Sequence, residues 1–347
     1  MKSVNEKSHR DSVSFRITTH SGKSFECRAD QTVLEAALEQ QCFIPNACTN
    51  GVCEVCYGDL LSGEAQLRDG RRLKAPPVVR DVLYCITKPK TDLVIEVKAF
   101  RGRGEFKLQT VSCQIESVTA LNYDVYQVLL RTPAGKQPEY HAGQYLELLP
   151  EDGKSYPFTI ACAPKDREIE LHIQVHQENE GAKYILEQLQ TQKSVRVKLP
   201  MGNCFLPIEK HELKPTVLLI AAGTGFSQMK SIVEALADYD DQERPDIHLY
   251  WVGKIAADLY ANELAESWQQ QGLIKYFPIV RDTEQGWDGY SGLIEDLVVK
   301  QVDSLSESSA FFCGSPNFVY GILDALLNDG LNEANCYSDV FDYAPRS

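Results

Sequence analysis

No stretch of this sequence is apolar for long enough to span a bilayer. No apolar core follows the polar segment Lys2 to Ser14 behind Met1. A secretory leader needs such a core, and a membrane anchor needs the longer run, so the expectation is a cytoplasmic chain with no membrane partner. A basic excess is also missing. The chain has 35 Lys plus Arg against 49 Asp plus Glu, and the net charge of −14 argues against nucleic acid as a partner. The even set of cysteines that staples a secreted scaffold is absent too. The 11 thiols are an odd number, and seven of them (Cys27, Cys42, Cys113, Cys162, Cys204, Cys313, Cys336) are scattered without pairing logic.

The other four cysteines are ordered. Cys48, Cys53 and Cys56 fall within one short loop, with four residues between the first two and two between the second pair. Cys85 follows at a distance. This is the plant-type spacing for a [2Fe–2S] cluster. A zinc site would show two CxxC pairs or added histidines, and no histidine lies near this loop. Gly51, between Cys48 and Cys53, lets the backbone fold back and aim N–H groups at the sulfurs. A basic stretch follows: Arg68, Arg71, Arg72, Lys74 and Arg80. It reads as a solvated loop, or as a docking surface for an acidic protein or for the acidic remainder of this chain. Residues 1–100 hold 14 Lys plus Arg and 13 Asp plus Glu, so the acidic excess lies downstream.

The length, 347 residues, fits two or three domains. The first reads as a small α+β unit. Strands are expected over Val13 to Thr19, Ser24 to Arg28 and Leu93 to Val97. A capping box at Thr32 to Glu35 starts a helix that reaches about Gln40. From about Gln109 to Pro207 the pattern is all-β, with strands at Val111 to Val118, Val125 to Leu130, Gln144 to Leu149, Ile169 to Val175 and Val195 to Leu199. This pattern predicts a small antiparallel barrel interrupted by one helix, Ala182 to Gln190. Tyr156-Pro157-Phe158-Thr159-Ile160 stands between strands and offers two aromatics and a hydroxyl. From Thr216 onward strands and helices alternate. Thr216 to Ala222 is a continuous apolar run ending in Gly223-Thr224-Gly225, and an amphipathic helix runs on to Tyr239. Further strand–helix pairs are Ile247 to Val252 with Asp258 to Trp268, Lys275 to Val280 with Gly292 to Lys300, and Ala310 to Cys313 with Asn317 to Leu327. That repetition predicts a doubly wound parallel sheet. The third glycine of the dinucleotide fingerprint is missing, so the glycine turn alone is a weak signal.

With these residues in order, the chain resembles the ferredoxin–NADP⁺ reductase superfamily, in the branch that carries an N-terminal plant-type ferredoxin module. The oxygenase reductase components and the deoxysugar (CDP-glucoseen) reductases belong to that branch. The last two modules also resemble the NAD(P)H:flavin reductases. The resemblance rests on the cluster loop, Tyr156 to Ile160, Gly223 to Ser227, Cys313-Gly314-Ser315-Pro316 and Ser338-Asp339-Val340-Phe341. It implies a β-grasp [2Fe–2S] domain over 12–100, a linker over 101–108, a flavin-binding β-barrel over 109–210 and an NAD(P)-binding Rossmann-like domain over 211–347.

The same resemblance implies the site. Cys48, Cys53, Cys56 and Cys85 hold the cluster. Phe158, beside Pro157, packs on the isoalloxazine, and Thr159 approaches flavin N5. Gly223, Thr224 and Gly225 support the nicotinamide dinucleotide. Cys313, Gly314 and Pro316 lie by the nicotinamide, and Asp339 with Phe341 closes the site. The cofactors implied are a [2Fe–2S] cluster, FAD or FMN, and NAD(P)H, with a protein as electron acceptor.

Three positions depart from the family pattern. Tyr156 stands where an Arg usually meets the flavin phosphate. Gly181 to Lys183 lacks the usual hydroxyl cap of the following helix, leaving Lys183, or Lys154, to supply charge. Glu54 stands where a small residue is common. The resulting expectation is an NAD(P)H-dependent oxidoreductase that passes electrons through flavin and the cluster to an oxygenase or dehydratase partner. An NAD(P)H:flavin reductase that releases reduced flavin, and a non-enzymatic redox sensor or relay, remain open. So does the choice between NADH and NADPH, where Lys254 and Arg281 follow strand ends.

Overall fold

The structure, a computed structural model, describes residues 13–208, 210–282 and 287–346. Most of the polar segment after Met1 lies outside them. The chain forms two compact units that divide between Phe106 and Lys107, within the stretch 101–108 expected as a linker.

In the first unit, β1 (Ser14–Thr19) and β2 (Ser24–Arg28) form the expected hairpin, with Ser14 opposite Arg28. The helix α1 (Val33–Glu39) starts at Thr32. Its Oγ1 accepts the Glu35 N–H at 3.2 Å, and the Glu35 carboxylate accepts the Thr32 N–H at 2.8 Å. Two otherwise unpaired donors of the first turn are thus satisfied. Next come β3 (Tyr57–Leu67), β4 (Arg72–Ala75), β5 (Val79–Leu83), β6 (Thr87–Pro89) and β7 (Leu93–Glu96). The sheet runs β2-β1-β7-β3-β4, with β5 and β6 also paired to β3. Ile17, Leu34, Ile44, Leu60 and Tyr84 form the buried centre.

The basic stretch is not a loop but lies largely on β4 and β5, and much of its charge is used locally. Arg71 pairs with Asp69 at 2.8 Å, Lys74 with Glu64 at 2.7 Å and Arg80 with Asp59 at 2.9 Å. Arg101, at the head of the expected linker, belongs to this unit. It exchanges both backbone hydrogen bonds with Phe43 and lays its guanidinium 4.1 Å from the centre of that ring.

The second unit opens with β8 (Gln109–Ala120), β9 (Val125–Arg131), β10 (Tyr145–Leu149), β11 (Tyr156–Thr159), β12 (Glu168–Gln174), α2 (Glu180–Thr191) and β13 (Ser194–Met201). The six strands follow the order β11-β10-β13-β8-β9-β12. A bridge between Ile160 and Leu171 joins the two ends, so the antiparallel sheet is nearly closed into a barrel. The Tyr156–Thr159 segment, read between strands, is itself an edge strand, with Tyr145 opposite Thr159.

The rest of the unit consists of β14 (Thr216–Ala222), α3 (Phe226–Ala237), β15 (Asp246–Gly253), α4 (Asn262–Gln270), β16 (Lys275–Val280), α5 (Ile294–Gln301), β17 (Ser308–Cys313), α6 (Pro316–Asn328), β18 (Cys336–Tyr337) and α7 (Val340–Tyr343). The sheet is parallel, in the order β16-β15-β14-β17-β18. β14 lies at its centre, buried on both faces, as its unbroken apolar run requires. The chain reverses direction across the sheet at β14, so the carboxyl ends of β14 and β17 flank the crevice where such folds hold ligands.

Helix α3 departs from the amphipathic expectation, because its polar side is buried as well. Gln228, Lys230 and Ser231 are each at most 7% exposed. They face the barrel. Lys230 Nζ donates to Ala161 O at 3.0 Å, to Glu170 at 2.8 Å and to Glu234 at 2.6 Å. Ser231 Oγ donates to Cys162 O at 2.7 Å and accepts the Gly143 N–H at 3.2 Å. The barrel and the parallel sheet are therefore bonded together along one helix.

Gly225 marks the tightest approach inside the sheet. A Cβ there would lie 2.4 Å from the Cys313 carbonyl oxygen, whereas one at Gly223 would meet nothing within 4 Å. Gly223 instead has φ +53°. Gly225→Ala should therefore force the ends of β14 and β17 apart and cost about 1–3 kcal/mol. Gly223→Ala should cost only the left-handed backbone term of about 1–2 kcal/mol. Urea unfolding checks both, and only the Gly225 variant should also change the near-ultraviolet signal of the native state.

Candidate functional site

Two sites are built from the two units. In the first unit, the loop before β3 carries Cys48, Cys53 and Cys56. Cys85 sits in a single turn of 3₁₀ helix, Tyr84–Ile86, rather than on a strand. The loop takes left-handed backbone at Thr49, Gly51 and Glu54 (φ +57°, +89° and +56°). Successive turns of this kind point backbone N–H groups inward. N–H groups of Asn50 and Cys53 reach Cys48 Sγ, the latter at 3.3 Å, and together hold this thiol down at about 6. The Cys48 N–H reaches back to Cys53 Sγ at 3.4 Å. The Cys85 thiol is pushed up to about 12, first by burial and then by its contact with the Cys56 thiol, while the Gly51 N–H opposes the rise.

The thiols thus stand as two pairs, Cys48 with Cys53 and Cys56 with Cys85. Among the described residues no three Cys, His, Asp or Glu side chains converge on one point as a single ion requires. A two-iron cluster takes two thiolates per iron, and this pairing fits it. Cys42 stays out: it is 7% exposed, packs in the core, and its thiol faces Gln40 O at 3.7 Å. Glu54 sits at a positive φ, where any residue with a Cβ carries left-handed strain.

In the second unit, one cavity of about 370 Å³ lies between the barrel and the parallel sheet. The barrel supplies Pro157, Phe158, Thr159 and Tyr145. The end of β17 supplies Phe312, Cys313 and Gly314, α3 supplies Gln228, and the tail supplies Ser338, Asp339, Val340 and Tyr343. The structure therefore brings together Pro157, Phe158, Thr159, Cys313, Gly314 and Asp339, which come from distant parts of the sequence. Phe341 is not among these residues. It packs against Tyr320, with ring centres 5.8 Å apart, and the tail aromatic on the cavity is Tyr343. Pro316 starts α6, where Ser315 accepts the Phe318 N–H at 3.4 Å.

Asp339 is the most perturbed carboxyl here. Its Oδ1 accepts the N–H groups of Asn203 and Cys204 at 3.2 and 3.3 Å, and its Oδ2 accepts Gln228 Nε2 at 3.0 Å. Burial dominates these donors and raises its pKa to about 6. The neighbouring Cys313 thiol is pushed up to about 12 by burial and by Asp339. Gln228 was not predicted from sequence, because a polar residue on a helix ordinarily reads as solvent-facing. Gly202 is another such residue: a Cβ there would lie 2.6 Å from Asp339 Oδ1.

Beyond Phe158, strand β11 leads to Tyr156 and the start of α2. The Tyr156 hydroxyl donates to Asp152 at 2.7 Å. A Cβ on Gly181 would lie 3.2 Å from the Tyr156 ring. Lys183 is paired with Glu180 at 2.8 Å. The helix cap is Asn179, whose side chain accepts the Ala182 N–H at 3.0 Å. An Asn directly before the apolar period was the available signal.

A second cavity, about 420 Å³, opens at the carboxyl ends of β14, β15 and β16. Gly223 and Thr224 line it with Lys254, Asp258, Tyr260 and Arg281. Asp258 falls in a 3₁₀ turn before α4 rather than in the helix itself. Gly225 lies behind this wall against Cys313, so its role is close packing rather than contact with a ligand.

The Asp339 shift has a stability consequence. Its native carboxyl holds a proton between about pH 4 and 6, where the unfolded chain has lost it. Stability contributed at this position is therefore highest below that range and falls as pH rises through it. Asp339→Asn should remove that slope, a difference of on the order of 2–3 kcal/mol between pH 4 and 7 relative to the native chain. Urea unfolding at both pH values measures it, and identical slopes for the two proteins would contradict the assignment.

Two families match the sequence. Residues 17–90 match the 2Fe-2S iron-sulfur cluster binding domain, and residues 219–323 match the oxidoreductase NAD-binding domain. The chain is 29% identical over 333 residues to the CDP-6-deoxy-L-threo-D-glycero-4-hexulose-3-dehydrase reductase of Yersinia pestis, covering 95% of this chain and 99% of the relative. It is 28% identical over 326 residues to the terephthalate 1,2-dioxygenase reductase component 1 of Comamonas, covering 93% and 95%. The crystal structure of the Amycolatopsis cytochrome P450 reductase GcoB superposes with a TM-score of 0.63 at 26% identity, covering 93% of this chain and 97% of that one. Paired thiols in an N-terminal [2Fe–2S] domain, a nearly closed barrel and a parallel NAD-binding sheet, matched along almost the whole length by reductase components, give the chain the architecture and domain order of the ferredoxin–NADP⁺ reductase-like proteins that carry a plant-type ferredoxin module.

Proposed function

We propose that the chain takes hydride from a reduced nicotinamide dinucleotide and passes the electrons through a flavin and a [2Fe–2S] cluster to a protein acceptor. One observation carries this reading: Pro157 to Thr159 of the barrel share a single cavity with Cys313, Gly314 and Asp339 of the parallel sheet. When bound, a flavin accepts two electrons as hydride and releases them singly, which matches a two-electron donor to a one-electron cluster.

The chain's residues position these partners. Pro157 and Phe158 would offer an apolar wall to the isoalloxazine, and Thr159 would supply a hydroxyl to its reacting edge. Gly314 would border the nicotinamide with its backbone beside Cys313, its Cβ side being packed by Phe318, and Gly223 with Thr224 would line the dinucleotide's path. Asp339, whose carboxyl pKa is raised by burial to about 6, would lie beside the reacting rings, and Tyr343 would cover the outer side. Cys48 with Cys53, and Cys56 with Cys85, would hold the cluster. Gly181 and Lys183, beside Tyr156 at the start of α2, would lie at the flavin's phosphate end. The acceptor belongs to one of two kinds, an oxygenase or a deoxysugar-forming dehydratase, as the names of the relatives indicate. Eleven unpaired thiols support a cytoplasmic setting.

The order of carriers is testable. Flavin-free protein should keep its iron–sulfur absorbance when NADH or NADPH is added, and added flavin should restore bleaching. Cys85→Ser protein, deprived of the cluster, should still reduce flavin. Rapid bleaching without any flavin would refute the order.

The phosphate end favours an exchangeable flavin. Tyr156 brings a neutral donor where two guanidinium hydrogen bonds would neutralise a phosphate, and it carries Asp152 with it. Lys183 is already engaged by Glu180. Tyr156→Arg should tighten FMN or FAD binding by about ten- to a hundredfold. Riboflavin, which has no phosphate, should gain little. Fluorescence titration distinguishes the cases: an equal gain for riboflavin would mean packing rather than charge.

A further inference from the structure

The second cavity carries a choice of coenzyme. In dinucleotide folds of this type the glycine turn ends one strand. A carboxylate just past the neighbouring strand then accepts the adenosine ribose hydroxyls of NAD, whereas a cation there accepts the 2′-phosphate of NADP. Here the glycine turn ends β14, and the neighbouring strand β15 ends at Gly253. The next residue is Lys254, which lines the cavity with Arg281 from the end of β16.

The nearby carboxylate is turned to another task. Asp258 Oδ2 accepts the backbone N–H of Lys254 at 2.8 Å and of Ile255 at 3.0 Å. Its Oδ1 is hydrogen-bonded by the hydroxyl of Tyr123, which reaches over from the turn between β8 and β9 of the barrel. Beside it, Asn122 Nδ2 donates to Ala257 O at 2.9 Å. The barrel thus clamps the β15–α4 turn and uses the carboxylate that would otherwise face a ribose. Among the described residues the other acid on the cavity wall is Asp282, which stands 3.9 Å from Lys254 Nζ, with both side chains exposed. Such a long, solvated pair contributes little and yields to a dianionic phosphate. Arg281 is shared with an adjoining cavity of about 230 Å³ where Leu293, Ile294 and Ile322 stand with Asn317 and Glu295, a mixed apolar and polar wall that suits an adenine base.

We propose that Lys254 and Arg281 form a subsite for the adenosine 2′-phosphate, so that NADPH is the preferred electron donor. The proposal rests on the second cavity being the dinucleotide site. Calorimetric titration of the full-length holoprotein with adenosine 2′,5′-bisphosphate and with 5′-AMP tests both statements independently of turnover. The bisphosphate should bind about tenfold more tightly than AMP, and the gap should shrink at high salt. Lys254→Ser and Arg281→Ser should each narrow the gap by weakening the bisphosphate alone. Equal affinities, or tighter AMP binding, overturn the 2′-phosphate subsite while leaving the dinucleotide site in place. A full gap that survives in both variants overturns the assignment to these two residues. Failure of both nucleotides to bind overturns the placement of the dinucleotide itself.

Discussion

The ammonium of Lys230 is the constraint on which the second unit depends. A lysine held 7% exposed must have its charge matched and all three of its donors used. Glu170 from the barrel and Glu234 from its own helix supply the charges, and Ala161 O takes the third hydrogen bond. Glu170 is held in turn by His172 at 2.9 Å and Gln127 at 2.8 Å, and these contacts, with Lys230, keep its carboxyl down at about 2 despite burial. Removing any member would strand a charge away from water. The network therefore admits one docking of barrel on sheet, and that docking sets Thr159 and Cys313 on the same cavity.

A polar seam of this kind also explains how two β-rich bodies share an interface without merging their cores. Apolar packing is tolerant of sliding, whereas hydrogen bonds between Gln228, Ser231 and Glu234 and the backbone at Gly143, Cys162 and Ala163 are not. Gln228 extends the seam into the site, bonding Gly143 O at 2.7 Å on one side and Asp339 on the other. The carboxyl nearest the chemistry is thus held by the contact that joins the two halves of the unit.

Much of this was legible in the sequence, and the exceptions have physical reasons. The parallel sheet announced itself through β14, because a strand buried on both faces must be apolar throughout. The cluster cysteines were readable because metal ligation fixes residue type and spacing together. Strands β3, β4, β5 and β6 were not, because β3 carries Gly58 and Gly63 among its charges and the others are short and carry charges such as Arg72, Lys74 and Arg80 that blur alternation. Strand β11 looked like a loop because it is a four-residue edge strand containing Pro157. The buried polar side of α3 was hidden by a rule that holds for most helices, namely that polar residues face water. The tail motif points to Phe341, whereas the four-residue helix turns Tyr343 toward the cavity instead.

The glycine turn separates two tasks that could have interfered. Gly225 presses the end of β14 against Cys313, while Gly223 and Thr224 face the opposite cavity. The wall between the two cavities is therefore thin, formed by the glycine turn packed against the end of β17. On the proposed reading, residues on the rim of the second cavity could change over evolutionary time without shifting the first, so coenzyme choice and redox chemistry could vary independently.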